Sequence, residues 1–256
     1  MALDKLVDST QLDSDLTSVA DAIRAKSGGS SQLAFPAGFV SEIQAIPSGG
    51  GLLPDEYQRV EYIQNADIAY INTKWIRQNT TVVEIETAFL GGQSSPGILI
   101  GYTSYPPGWF GISDSNIPTL GGGNNLTGVT YSTKNTYEIA FQDTIVTVTC
   151  GANSASRTGQ AVSGLDLTIF CALSKVTYLP INPCFAKVYS VKVVDNDTIA
   201  RLLIPCYNKN TNDIGMYDVI THEFFGNANN TGSFTKGPDV LTDSETLEIL
   251  LGGADA

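Results

Sequence analysis

Two carboxylates are the first residues in this chain whose type and spacing could do chemistry. Glu84 and Glu86 stand at i and i+2 in an apolar-alternating run, so an extended backbone carries both to one face, about 7 Å apart, a separation that two-carboxylate catalysis tolerates. The competing expectation is a solvated strand face. His222 is the single histidine and falls in an Ile220-Thr221-His222-Glu223 turn, which does not support a Ser/His/Asp triad. Gly121-Gly122-Gly123 precedes Asn124-Asn125 without a following Lys-Ser/Thr, so it reads as a loop and not a phosphate cradle. Asp195, Asp197 and Asp213 sit in turn-like stretches where their oxygens could ligate calcium, though no dense acidic loop surrounds them. Calcium is the one cofactor the residues raise, and no other is expected. Cys150, Cys171, Cys184 and Cys206 are widely and irregularly spaced without a C-x-x-C pair, and they read as buried thiols before disulfides or metal ligands.

Binding is the more natural use of the uncharged residues. The segment Tyr102-Thr103-Ser104-Tyr105-Pro106-Pro107-Gly108-Trp109-Phe110 gathers aromatics around a diproline turn, and flat rings on a loop are surfaces on which sugar faces stack. Tyr102, Tyr105 and Trp109, with Trp75, are therefore the candidate ligand-binding residues. The alternative for Trp109 and Phe110 is that they open the next strand and fill the core.

These residues need a scaffold, and composition defines its kind. Of 256 residues, 42% are hydrophobic and 16% charged, with 25 glycines, 11 tyrosines and 10 phenylalanines, a balance of turn-rich β structure and unlike a disordered chain. The formal charge of −12 repels phosphate backbones and anionic bilayers, which argues against nucleic acid as a partner. No apolar run reaches the roughly 18 residues that span a membrane, and residues 1–8 lack a basic stretch followed by an apolar core. Membrane insertion is not expected, and synthesis and folding are expected in a cytoplasm. The Asn-x-Ser/Thr sequons at Asn79, Asn125, Asn196 and Asn229 then mark surface turns only.

Periodicity divides the chain. Leu12, Leu16, Val19, Ala20 and Ile23 recur at helical spacing, with Asp13 or Ser14 as cap and Gly28-Gly29 as terminator. Phe35, Phe39, Ile43 and Ile46 suggest a second helix between Pro36 and Pro47. A helical segment over 1–47 is too small to be stable alone and must dock on something. Residues 48–51 form a Gly-rich linker. Beyond it, the runs Val83-Ile85-Thr87-Phe89, Ile98-Ile100-Tyr102, Tyr137-Ile139-Phe141 and Leu165-Leu167-Ile169-Cys171-Leu173 alternate as half-buried strands do. Residues 185–194 and 198–206 flank Asp195-Asn196-Asp197 as a hairpin. The expected fold is mainly β, an antiparallel two-sheet jelly-roll sandwich over 52–239, with an acidic tail or short helix over 240–256.

The segment Tyr189-Ser190-Val191-Lys192, Leu202-Leu203-Ile204-Pro205, Ile214-Gly215-Met216-Tyr217-Asp218, Phe224-Phe225 and Gly232-Ser233-Phe234 resembles the closing strands of laminin-G/concanavalin-like jelly rolls in phage tail proteins. The opening Leu53-Pro54-Asp55-Glu56-Tyr57 and Tyr70-Ile71-Asn72-Thr73 are similar to that family's first strands, with Asp67 and Ile68 where the family has Gly and Gln. Residues 12–46 resemble N-terminal segments of tail and baseplate proteins. The resemblance implies a non-enzymatic virion structural protein of the tail or baseplate, made in the bacterial host cytoplasm. Its helices would attach to other virion proteins or form a homo-oligomer such as a trimer, and its lectin-like domain would adhere to host-surface glycan. Many copies would let sites of about millimolar strength act together. Hydrolases of this fold carry Glu-x-Asp-x-(x)-Glu, and here Glu84-Ile85-Glu86-Thr87-Ala88-Phe89 supplies no third acid. A polysaccharide depolymerase and a ligand-free decoration subunit are the alternatives.

Overall fold

The computed structural model describes residues 9–27, 33–34, 39, 52–91, 96–102, 108–121, 123–159, 164–174, 176–177, 179–229 and 231–240. The chain forms two units, Met1–Asp55 and Glu56–Ala256. In the first, helix α1 spans Ser9–Ser27. Leu16, Ala20 and Ile23 follow the i, i+4, i+7 rule and gather with Leu33 and Phe39 into a small apolar cluster. The helix begins before the expected cap: Asp13 and Ser14 are exposed in its second turn, where their carbonyls accept the hydroxyls of Thr17 and Ser18. Val19, expected on the apolar stripe, is 49% exposed. Apart from Phe39, the expected second helix lies outside the described residues, as do the linker over 48–51 and residues 241–256 of the expected tail.

The second unit is built of strands. In chain order they are β1 (Tyr57–Arg59), β2 (Ile63–Asn65), β3 (Ile71–Ile76), β4 (Val82–Phe89), β5 (Gly97–Gly101), β6 (Trp109–Ile112), β7 (Pro118–Leu120), β8 (Asn124–Asn125) and β9 (Asn135–Gln142). There follow β10 (Ile145–Cys150), β11 (Asn153–Thr158), β12 (Asp166–Ile169), β13 (Ala172–Leu173), β14 (Pro180–Ile181), β15 (Ala186–Asp195) and β16 (Thr198–Asn208). The last are β17 (Ile214–Asp218), β18 (Glu223–Phe225) and β19 (Phe234–Lys236). The larger sheet has the order β11-β10-β9-β4-β15-β16-β17-β18, with β1 also paired to β16, and β2 paired to β15 and β19; the smaller runs β3-β12-β5-β6-β7-β8. All named pairings are antiparallel.

Alternation decides which side chains meet between the sheets. Val83, Ile85 and Phe89 of β4, Tyr137, Ile139 and Phe141 of β9, and Val191 and Val193 of β15 face Leu99, Ile100, Phe110, Leu120, Leu167 and Ile169 of the smaller sheet in one core. This is the expected sandwich, mainly β, antiparallel and jelly-roll-like. At about 25 cal/mol per Å² of apolar surface removed from water, a fully buried residue of this kind contributes roughly 1.5–3 kcal/mol.

One expected strand is in fact two. The run from Leu165 to Leu173 breaks at Phe170, whose φ is 73°. Its ring stays in the core, its N–H donates to the Leu99 carbonyl at 2.6 Å, and its own carbonyl accepts from the Cys184 N–H at 2.8 Å. The left-handed backbone thus ends β12, and β13 pairs instead with β14 as a separate hairpin.

The closing strands are fastened by a buried acid. Asp218 is fully buried; its Oδ1 accepts the N–H groups of Leu202 (2.9 Å) and Ile220 (3.0 Å), and its Oδ2 accepts the Thr221 hydroxyl (2.7 Å). Arg201 Nε lies 3.3 Å from Oδ2, and its guanidinium stands 5.5 Å over the Trp75 ring. The carboxylate therefore ties β16 to the β17–β18 turn.

Candidate functional site

A groove of about 370 Å³ lies on the outward face of the larger sheet. Its lining comes from the end of β1 (Arg59), the bend before β2 (Glu61), β4 (Glu84, Glu86), the β9 region (Lys134, Thr136), β15 (Tyr189, Ser190, Lys192) and β16 (Ile204), with Val240. Strand pairing explains why a depression forms here. β15 and β16 pair only from Val191/Leu203 to Asp195/Thr198. Beyond that the chain of β1 and β2 bends at Glu61, β1 pairing with β16 and β2 with β15.

A β-bulge aims the aromatic residue. Along β15, Val188 and Val191 both point into the core, and the pairing to β4 shifts between Val188/Thr87 and Ser190/Glu86. Tyr189 is the additional residue, so Tyr189 and Ser190 are both presented outward opposite Glu86. The Ser190 hydroxyl donates to Glu86 Oε2 at 3.3 Å, and Lys134 Nζ lies 3.1 Å from the same oxygen. Lys134 Nζ also stands 4.8 Å over the Tyr189 ring. Next to it, Tyr62 meets Tyr189 edge-on with centroids 5.5 Å apart, and Lys187 Nζ lies 4.2 Å over the Tyr62 ring. Burial, more than any neighbouring charge, pushes the Tyr189 phenol above its ordinary pKa of 10.0; Lys187 acts in the opposite direction, and Glu61, Tyr62 and Glu86 add to the rise.

Glu84 and Glu86 do share one face, as their spacing requires, and both line the groove. Each is committed to a lysine: Glu84 Oε2 is 2.8 Å from Lys192 Nζ, and Glu86 is held by Lys134. Further acids, invisible to a local motif, arrive from other parts of the chain. Glu138 of β9 stands directly opposite Glu84 in register, and Glu61 lines the groove. Like charges facing across a strand pair repel, and Lys192 offsets that repulsion.

The aromatic candidates from the sequence are placed elsewhere, and two are corrections. Tyr102 is 1% exposed, edge-on to Phe141 at 5.5 Å with the Arg77 guanidinium 4.9 Å over its ring. Trp109 is 5% exposed and packs with Ile98, Ala172 and Ile181 at the β13–β14 hairpin. Neither ring offers a face to a ligand, because each covers apolar surface that would otherwise meet water. Trp75 is half-buried, packed on the core and overlain by Arg201. Tyr105 lies outside the described residues.

The three aspartates do not form one site. Asp195 and Asp197 occupy the β15–β16 turn, whereas Asp213 sits in the β16–β17 turn, at the other end of an 11-residue strand. At about 3.3 Å per residue that strand separates them by roughly 33 Å. Asp195 Oδ1 accepts the Thr80 hydroxyl and Asp213 Oδ2 accepts that of Thr211, so both carboxylates serve turns. Among the described residues no three His, Cys, Asp or Glu side chains converge as a metal site. His222 has φ 59° in the β17–β18 turn, where its N–H donates to the Asp218 carbonyl. The four cysteines are free thiols, three of them buried.

No family model matches the sequence, and no curated protein matches it. Among solved structures, the chain is similar to one described as a "putative carbohydrate binding protein" from Bacteroides ovatus, at 10% identity and a TM-score of 0.45. The likeness covers 72% of this chain and 62% of that one, so this chain spans less than two thirds of the other's length. No helix among the described residues is long and apolar enough to cross a membrane.

Proposed function

We propose that the sandwich is a non-enzymatic glycan-binding module and that the chain serves as a structural protein of a phage tail or baseplate. The observation that carries the binding reading is the bulge-presented Tyr189 in a groove whose rim offers hydroxyl, carboxylate and ammonium groups. An aromatic face with polar groups about it is the surface a saccharide requires, with apolar C–H faces on the ring and hydroxyls on the rim. Glu84 and Glu86, each bound by a lysine, hold a ligand in place and do not cleave it.

The virion assignment rests on the sequence resemblance of residues 12–46 and 52–239, with the N-terminal unit as the attachment device. Three measurements test these readings. A glycan panel probed with the full chain is expected to give hits that Tyr189→Ala abolishes while the circular dichroism stays unchanged; uniform silence, also in oligomeric form, leaves only an architectural role. Release of reducing ends from host polysaccharide, lost in Glu86→Gln, would overturn the non-enzymatic reading. Light scattering should find the full chain oligomeric and a chain beginning at Leu52 monomeric.

A further inference from the structure

We infer that the groove's ligand is a saccharide carrying a free, protonated amino group, held by the Tyr62–Tyr189 corner and the carboxylates of Glu61 and Glu86; this rests on reading the groove as the glycan site. The two rings already hold ammonium groups. Lys134 Nζ occupies the space over Tyr189 while touching Glu86 Oε2, and Lys187 Nζ occupies the space over Tyr62. Ring faces attract cations through their quadrupole, and a carboxylate beside the ring supplies the opposite charge. The protein's own lysine side chains therefore stand where a ligand's ammonium would bind.

Exchange there is inexpensive. The Lys134 side chain is 50% exposed and its ammonium can return to water, so an incoming ammonium replaces like with like. Lys192 is different: 16% exposed and 2.8 Å from Glu84, it is fixed and serves to neutralise the Glu84–Glu138 pair. Glu61 lines the same groove beside Arg59, and its charge acts on Tyr189. A neutral or N-acetylated sugar would displace Lys134 and bring no charge for Glu86 or Glu61. An acidic sugar would meet the carboxylates of Glu61 and Glu86, with Arg59, Lys134 and Lys192 as the groove's own cations, in a chain of formal charge −12.

The test compares two ligands with one backbone: glucosamine oligomers with free amines, and the same oligomers fully N-acetylated, titrated calorimetrically into the full chain. The amine form is expected to bind about tenfold more tightly, with the preference reduced several-fold in Glu61→Gln. Lys134→Met, which removes the resident cation, is expected to strengthen binding of the amine form. Equal or tighter binding of the N-acetylated oligomer, or weaker amine binding by Lys134→Met, overturns the inference. If both oligomers bind equally and Tyr189→Ala abolishes both, the amine preference falls and the glycan groove stands. Silence toward both oligomers while another glycan binds also overturns the amine preference; silence toward every glycan removes the groove reading itself.

Discussion

Replacing Asp218 with alanine should unfasten the closing strands. The side chain is fully buried and accepts two backbone N–H groups and one hydroxyl within 3.0 Å, with Arg201 at 3.3 Å as its ion partner. Truncation leaves the Leu202 and Ile220 N–H groups without their acceptor and strands a guanidinium that is only 15% exposed. Breaking a buried pair by removing one partner costs about 3–5 kcal/mol, a large part of the roughly 5–15 kcal/mol that keeps a domain folded. Asp218→Asn keeps the shape and can still accept both N–H groups, losing mainly the charge that faces Arg201, and should cost less, about 1.5–3 kcal/mol. Urea titration followed by tyrosine and tryptophan fluorescence measures both, with the shift expected in the midpoint and not in the slope. A loss below about 1 kcal/mol for Asp218→Ala, or equal losses for the two variants, would refute the argument that the acceptor geometry matters more than the charge.

Two further predictions concern the interior. A Cβ on Gly111 would lie 1.9 Å from the Gly97 carbonyl oxygen across the β5–β6 pair, so Gly111→Ala should cost about 3 kcal/mol or more by urea titration. Burial pushes the thiols of Cys171 and Cys206 up to about 12 and that of Cys184 well above its ordinary 9.0. In the unfolded chain these thiols ionise from about pH 9 upward while the native ones stay protonated, so stability is intact below pH 9 and falls as pH rises toward 12. The loss should be about 1 kcal/mol per thiol at pH 10, measured under reducing conditions, and Cys206→Ala should remove its share.

Much of the sandwich was legible because a half-buried strand writes its burial into every second residue. The runs at Val83, Tyr137 and 185–194 became β4, β9 and β15 within a residue or two. Phe170 hid its turn, since a core phenylalanine at positive φ leaves the apolar pattern unbroken. Tyr102 and Trp109 misled for a related reason: an aromatic residue beside a Pro/Gly turn has the same signature whether its ring faces solvent or ends a strand. The groove was illegible because it joins six chain segments, most of them through strand register, which no single segment records. Its centre did leave one trace. In β15 the apolar residues stand at Ala186 and Val188, then at Val191 and Val193, and that change from even to odd positions marks the bulge.

That change of parity has a consequence for how the strand came to be used. Strike Tyr189 from the sequence and Ala-Lys-Val-Ser-Val-Lys-Val remains, an unbroken in-and-out rhythm that would line the interior with the same valines. The sandwich could close without the odd residue. What the inserted tyrosine adds lies wholly on the side turned away from the interior, and a shorter homologue lacking it would keep the architecture and present no ring to the groove.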